Sequence, residues 1–464
     1  MGLLMAALGA CAAAQDKEQQ GVAPAPAFGQ TAPVLNPENP PLSGLDEPGL
    51  ELKTASRSFI SPAVVVSETA DSNENNQLGA SAVRPVEHLI GALDLQKFWP
   101  KSDLLLEYLG GGAFQTDPTY DVKQLQALGF EGITRWRTGR LEVRDAVNYI
   151  PDGSFDTGSG GGLPGLGIAL GGMGTGEAGG GLPGTLRLND ASGEAVGQIP
   201  RLSNTAIASA VQAITPRSAF TLLGAFGDAH FFHNSAGLLN SDETTIEGGY
   251  SHLLSRRDQI AGVFAFQLFR FPYVGGGEIY NDIFNLRWSH TITGRMQLIV
   301  GAGPQYTDLR FGGGSPEWSV SGRAILRYRF EHSSLAASYE KFTSAGSGFF
   351  PGANTQAAQL AYRRSLRRTL NLSVAAGYSH SKRLDSAAFA PTPATSYNTG
   401  TIGGILRKHM GRTYDIFAAY SFSETEFNVP LGATCASAIG CGKIGQRHAG
   451  TIGVEWHPAA TRIE

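Results

Sequence analysis

The sequence predicts an all-β protein, a transmembrane antiparallel β-barrel of about eighteen strands, within a range of roughly sixteen to eighteen. Three observations carry this expectation. Short stretches in which apolar residues alternate with small or polar ones recur from about Phe59 to Trp456. The connections between them alternate between tight, arginine-marked turns and long polar loops. No internal apolar run approaches the roughly 20 residues that a helix needs to cross a bilayer.

Composition agrees. The chain has 61 glycines, 42% hydrophobic residues and 16% charged residues, against about one quarter charged in an ordinary soluble domain. A net charge of -4 without a concentrated basic face predicts no nucleic-acid partner. No linker after residue 60 divides the chain into soluble domains.

The elements follow in order. Residues 1–14 read as a signal peptide with its front missing, because Leu3, Leu4, Met5, Ala6, Ala7 and Leu8 form an apolar core and Ala12, Ala13 and Ala14 precede Gln15 without a positive start. Leu8, Gly9, Ala10 and Cys11 also resemble a lipoprotein box, whose use would lipidate Cys11. Residues 15–55, with Ala-Pro alternation at 23–26 and Pro33, Pro37, Pro40 and Pro41, predict a flexible periplasmic leader that either hangs free or dips into the pore. The barrel is expected over 56–457, and 458–464 form a C-terminal tail.

Within the barrel, strands are predicted near 56–70, 84–98, 102–115, 121–136, 140–150, 203–215, 218–232, 241–254 and 258–273. The rest lie near 279–292, 295–310, 317–330, 333–343, 355–366, 369–383, 396–409, 412–427 and 446–457. Tight turns are expected at Pro100-Lys101, Thr138-Gly139, Thr215-Pro216-Arg217, Ser255 to Asp258, Thr293-Gly294-Arg295, Arg364-Ser365 and Met410-Gly411-Arg412. Long connections fall between them, so that one membrane side has turns and the other has loops. A soluble propeller or sandwich has no reason to keep that asymmetry.

Parity then divides the residues between two faces. Trp318, Val320, Ala324, Leu326 and Tyr328 would face lipid, as would Leu370, Leu372, Val374 and Tyr378, while Trp99, Trp136, Phe271, Tyr273, Trp288, Trp318 and Trp456 would form interfacial girdles. The opposite parity supplies the pore lining: Arg140, Glu142, Arg144, Arg287, Arg323, Arg327, Arg329, Arg363 and Asp415. A charged side chain at the lipid midplane costs roughly 2–4 kcal/mol, so these groups belong in a wet lumen. Asp145 breaks the apolar parity of its strand and marks an interface position or a β-bulge.

The connection 151–202 holds a near-repeat, Gly160-Gly161-Gly162-Leu163-Pro164-Gly165 and Gly179-Gly180-Gly181-Leu182-Pro183-Gly184. It is either an inward constriction or an external loop. Its glycines lack the helix and Lys-Ser/Thr pair of a phosphate cradle. Cys435 and Cys441 share the loop before the last strand, where an oxidising compartment permits a disulfide. No cofactor, metal or catalytic site is predicted: Ser251-His252 and Ser379-His380 are adjacent on strands and point to opposite faces, and His230 with His233 or Glu424 with Glu426 complete no arrangement.

The turn sequences Leu-Ser-Arg-Arg at 254–257 and Thr-Gly-Arg at 138–140 and 293–295, with Ala-Gly-Tyr-Ser at 376–379, make the chain resemble an outer-membrane porin-like β-barrel, similar to large barrels predicted from acidobacteria. The resemblance implies the outer membrane of a Gram-negative bacterium, contact with outer-membrane lipid and lipopolysaccharide, and insertion by the barrel-assembly machinery. It also implies transport, the passive diffusion of small polar solutes or ions. An adhesin, a receptor or an export pore acting through the external loops and the leader is the other reading.

Overall fold

The computed structural model describes residues 58–72, 83–115, 123–150, 200–232, 238–272, 277–310, 315–384, 393–430 and 444–462. Each period-two stretch becomes one strand. In chain order these are β1 (Phe59–Asp71), β2 (Arg84–Phe98), β3 (Ser102–Gln115), β4 (Lys123–Trp136), β5 (Gly139–Ile150), β6 (Arg201–Thr215), β7 (Ser218–Phe231), β8 (Ser241–Leu253) and β9 (Asp258–Phe271). There follow β10 (Gly277–Thr293), β11 (Met296–Leu309), β12 (Glu317–Arg329), β13 (Ser333–Ser344), β14 (Ala353–Arg367), β15 (Leu370–Arg383), β16 (Ser396–Met410), β17 (Tyr414–Asn428) and β18 (Ile444–Trp456). A two-residue β19 (Thr461–Arg462), within the predicted tail, pairs with Phe59 and Ile60.

Each of β1 to β18 pairs antiparallel with its sequence neighbours, and β18 returns to β1 from Val64↔Trp456 to Asp71↔Ala449. The result is a closed barrel of eighteen strands. Closure leaves no ladder edge, which hydrocarbon could not hydrogen-bond. Side chains reinforce the seam, with Thr69 and Thr451 hydroxyls 2.9 Å apart and the Arg447 Nε–H donating to Asp71 Oδ2 at 2.9 Å.

The short connections between β2 and β3, β4 and β5, and so on round the ring, are two to four residues long, and the long ones five to fifty. The turn expected at Arg364-Ser365 lies inside β14, whose pairing with β15 continues through an irregularity between Ser365 and Arg367, so the chain reverses at Arg368-Thr369. Arg201 and Leu202, placed at the end of the long connection by sequence, pair with Ile150 and Tyr149. Most of that connection and both Cys435 and Cys441 lie outside the described residues.

Alternation now has a physical outcome. Phe220, Leu222 and Phe226 on β7 and Phe284, Leu286 and Trp288 on β10 stand exposed on the convex face, where lipid would cover them. The residues between them are buried: Ile283, Asn285 and Arg287 on β10, Ala261, Ala265 and Gln267 on β9. Trp99, Trp136, Trp288, Trp318 and Trp456 are exposed near strand ends. Phe271 is not with them. It has the parity of Gln267 and Phe269 and is 1% exposed, packed with Leu239, Ile279 and Ala345 inside the barrel. Among the described residues no helix is long and apolar enough to cross a membrane.

Candidate functional site

On β5 a strand's two-residue repeat sets Arg140, Glu142 and Arg144 on one face, at intervals of about 6.5–7 Å. All three are buried, while Leu141 and Val143 between them are exposed. Glu142 takes a guanidinium from each side: Arg140 Nη2 lies 3.2 Å from Oε2, and Arg144 Nη2 contacts Oε1. Arg144 also reaches Glu131 on β4 at 3.5 Å. A buried carboxylate needs such partners, because an isolated buried charge costs several kcal/mol. Asp145 faces the other way. The register of β5 with β4 and β6 runs unbroken through it, so of its two readings, interface position or β-bulge, the bulge is not found.

Arg287 sits on the same wall further round the barrel, 3.2 Å from Glu247, two strands away on β8. Its row continues through Gly301 on β11 and Arg323 on β12 to Glu340 on β13. A Cβ at Gly301 would stand 2.9 Å from Arg287 Cγ. Glycine here leaves the space that the arginine stem fills. Arg323 Nη2 lies 3.6 Å from Glu340 Oε1, and both side chains are buried.

Asp415 on β17 is the centre of a group at the turn end. His409 Nδ1 lies 2.6 Å away, Arg407 Nη1 3.5 Å away and His457 Nε2 3.4 Å away. Arg407 Nη1 also reaches Glu455 at 3.2 Å.

Arg327, Arg329 and Arg363 differ from these. Register places Arg329, Ser334 and Arg363 in one row, and Arg327, Ala336 and Ala361 in the next. The intervening residues on β13 are small, and the three arginines are partly or fully exposed. They sit at inward-parity positions but are more exposed than Arg140, Arg144, Arg287 and Arg323, which are buried. The acids Glu131, Glu247, Glu340 and Glu455 and the base Arg407 were not singled out from sequence. Strand parity alone would have put each on the inner face.

Two apolar clusters lie at the loop end of the barrel. Between β13 and β14 the chain turns through one 3-10 turn at Gly346–Gly348, with Gly346, Gly348 and Gly352 at φ of 77°, 78° and 88°, a region that glycine enters without strain. Phe349 and Phe350 then pack with Phe231, Leu238, Ala353, Ala394 and Tyr397, with Phe427 against them. Ring centroids of Phe349 lie 5.6 Å from Tyr397 and 5.2 Å from Phe427. The Leu239 N–H donates to the Gly348 carbonyl at 2.9 Å, and the Leu384 N–H to that of Gly352 at 3.3 Å. Phe231 and Leu238 flank the β7–β8 connection, six strands from β13, whereas Tyr397 and Phe427 belong to β16 and β17. Contacts to both walls require the segment 345–352 to cross the mouth. The connection 151–202, read as either an inward constriction or an external loop, lies almost wholly outside the described residues.

Ser251 and His252, and likewise Ser379 and His380, lie on opposite faces of their strands. Ser251 is buried on the inner face, and His252 instead meets Ser218 Oγ through Nδ1 at 2.8 Å. His380 Nδ1 meets Asn398 at 2.7 Å, and His230 meets Asn240 at 2.8 Å. Among the described residues no group of three or more His, Cys, Asp or Glu side chains could hold a metal ion.

No protein-family model and no curated protein matches the chain. Among solved structures it is similar to Pseudomonas aeruginosa OccK2 (OpdF), at 10% identity and a TM-score of 0.43 over 87% of this chain and 99% of that one. It is also similar to a BenF-like porin from Pseudomonas fluorescens Pf-5, at 9% identity and a TM-score of 0.42 over 87% and 98% of the two chains. A third is Pseudomonas aeruginosa OpdO, at 12% identity and a TM-score of 0.42 over 87% and 97%.

Proposed function

We propose that this barrel is an outer-membrane channel of a Gram-negative bacterium for the passive diffusion of small polar solutes or ions. The observation that carries the reading is the closed barrel whose inward-parity wall is charged, with Arg327, Arg329 and Arg363 its more exposed members. Fixed charge beside a water path sets which ions pass, with no bond made or broken. Arg140, Glu142, Arg144, Arg287, Arg323 and Asp415 line the same path as paired groups that hold the wall's shape.

The bridge at 345–352 favours a second reading, in which the mouth is held shut and the loops serve a receptor, an adhesin or an export pore. Single-channel recording of the purified protein in planar bilayers separates the two. Stable open channels support diffusion. A correctly folded, silent barrel favours the closed alternatives.

A further inference from the structure

Seven of the eight short turns carry lysine or arginine: Lys101, Arg137, Arg217, Arg256 with Arg257, Arg295, Arg368 and Arg412. All are exposed. The eighth turn, 330–332, holds Glu331 and His332, and Glu331 is the one acid in the set. The described turns therefore form a pole of exposed positive charge.

Two further features say what meets that pole. The basic groups are spread round the whole circumference, since they occupy turns from β2–β3 to β16–β17. A soluble acidic partner would contact one sector; a bilayer leaflet encircles the barrel. Directly above this ring stand exposed Trp99, Trp136, Trp288, Tyr414 and Trp456, and amphipathic rings of this kind settle at headgroup level. Four of the chain's five tryptophans are at the turn end, and Trp318 alone is at the loop end.

We propose that the turn-side ring is a binding surface for anionic phospholipid, its arginines and lysine meeting the lipid phosphates while the tryptophans lie among the glycerol and upper acyl groups. A basic side chain near an anionic leaflet gains attraction that decays within a Debye length. The surface is independent of whether the lumen conducts.

Tryptophan quenching tests it. The full chain is reconstituted in vesicles of phosphatidylcholine in which a growing fraction is replaced by chain-brominated phosphatidylglycerol or, in parallel, by chain-brominated phosphatidylcholine. The expected result is a preference of about threefold or more for the anionic lipid at low salt, falling toward one in roughly 1 M salt. Replacing Lys101, Arg137, Arg217, Arg256, Arg257, Arg295, Arg368 and Arg412 with Gln should abolish the preference, and replacing the seven arginines with Lys should keep it. Equal quenching by both lipids in the unaltered protein, or a preference that survives the Gln substitutions, overturns the proposal. Should the Gln variant not fold, the salt series decides alone, because a preference indifferent to salt is not carried by these charges.

Discussion

Removing the two phenylalanines that pin the 345–352 segment should open the mouth. Phe349 is 1% and Phe350 0% exposed, and deleting a buried aromatic ring costs about 3–5 kcal/mol. The two share partners, so Phe349→Ala with Phe350→Ala costs less than the sum. What remains to hold the segment is chiefly the pair of backbone bonds from Leu239 and Leu384, each contributing about 1 kcal/mol. Fixing the backbone of a single residue costs about 1–2 kcal/mol. Two bonds therefore cannot hold the segment across the mouth once the rings are gone. In planar bilayers the double variant should show a larger unitary conductance, or fewer closed intervals, than the unaltered protein. Heat-modifiable gel mobility would confirm that the barrel itself is intact. A folded double variant with unaltered conductance and gating would refute the assignment of the mouth's closure to this segment.

Two other outcomes follow from the same geometry. Arg447→Ala should lower barrel stability by roughly 3–5 kcal/mol, because it leaves Asp71 buried at the β1–β18 seam without this guanidinium; a urea midpoint equal to that of the unaltered protein would contradict the seam's dependence on the pair. Cys435 and Cys441 should be joined in the exported protein, so intact mass should rise on reduction by two hydrogens, and labelling of both thiols in the unreduced native protein would rule the bridge out.

Strand count, closure and the turn-and-loop asymmetry were legible because each follows from a period of two and from residues with narrow backbone preferences. Val320, Ala324 and Leu326 read as outward and Arg323 as inward for the same reason: at membrane depth the wrong parity is expensive. Ion pairing was less legible. Arg287 meets Glu247 two strands away, and that contact depends on the stagger between ladders, which alternation within one strand does not encode. The mouth was missed for a different reason. Phe349-Phe350 lies in a glycine-rich connection whose composition resembles other exposed loops, and only the positive-φ glycines and the distant partners Phe231, Leu238 and Tyr397 turn it inward. Phe271 was misplaced because an aromatic at a strand end fits a girdle and an inner cluster equally well until its parity is counted from Gln267.

Ion selectivity of the triple variant Arg327→Gln, Arg329→Gln, Arg363→Gln tests the central claim most directly. These three are preferred to Arg323, whose neutralisation would also remove a buried partner of Glu340. In a planar bilayer with a salt gradient, the unaltered protein should conduct with a reversal potential displaced toward anions, and the variant should shift toward cations, because fixed positive charge that attracts anions has been removed. A folded variant with the same conductance and the same reversal potential would contradict the arginine strip as the selectivity element of the channel.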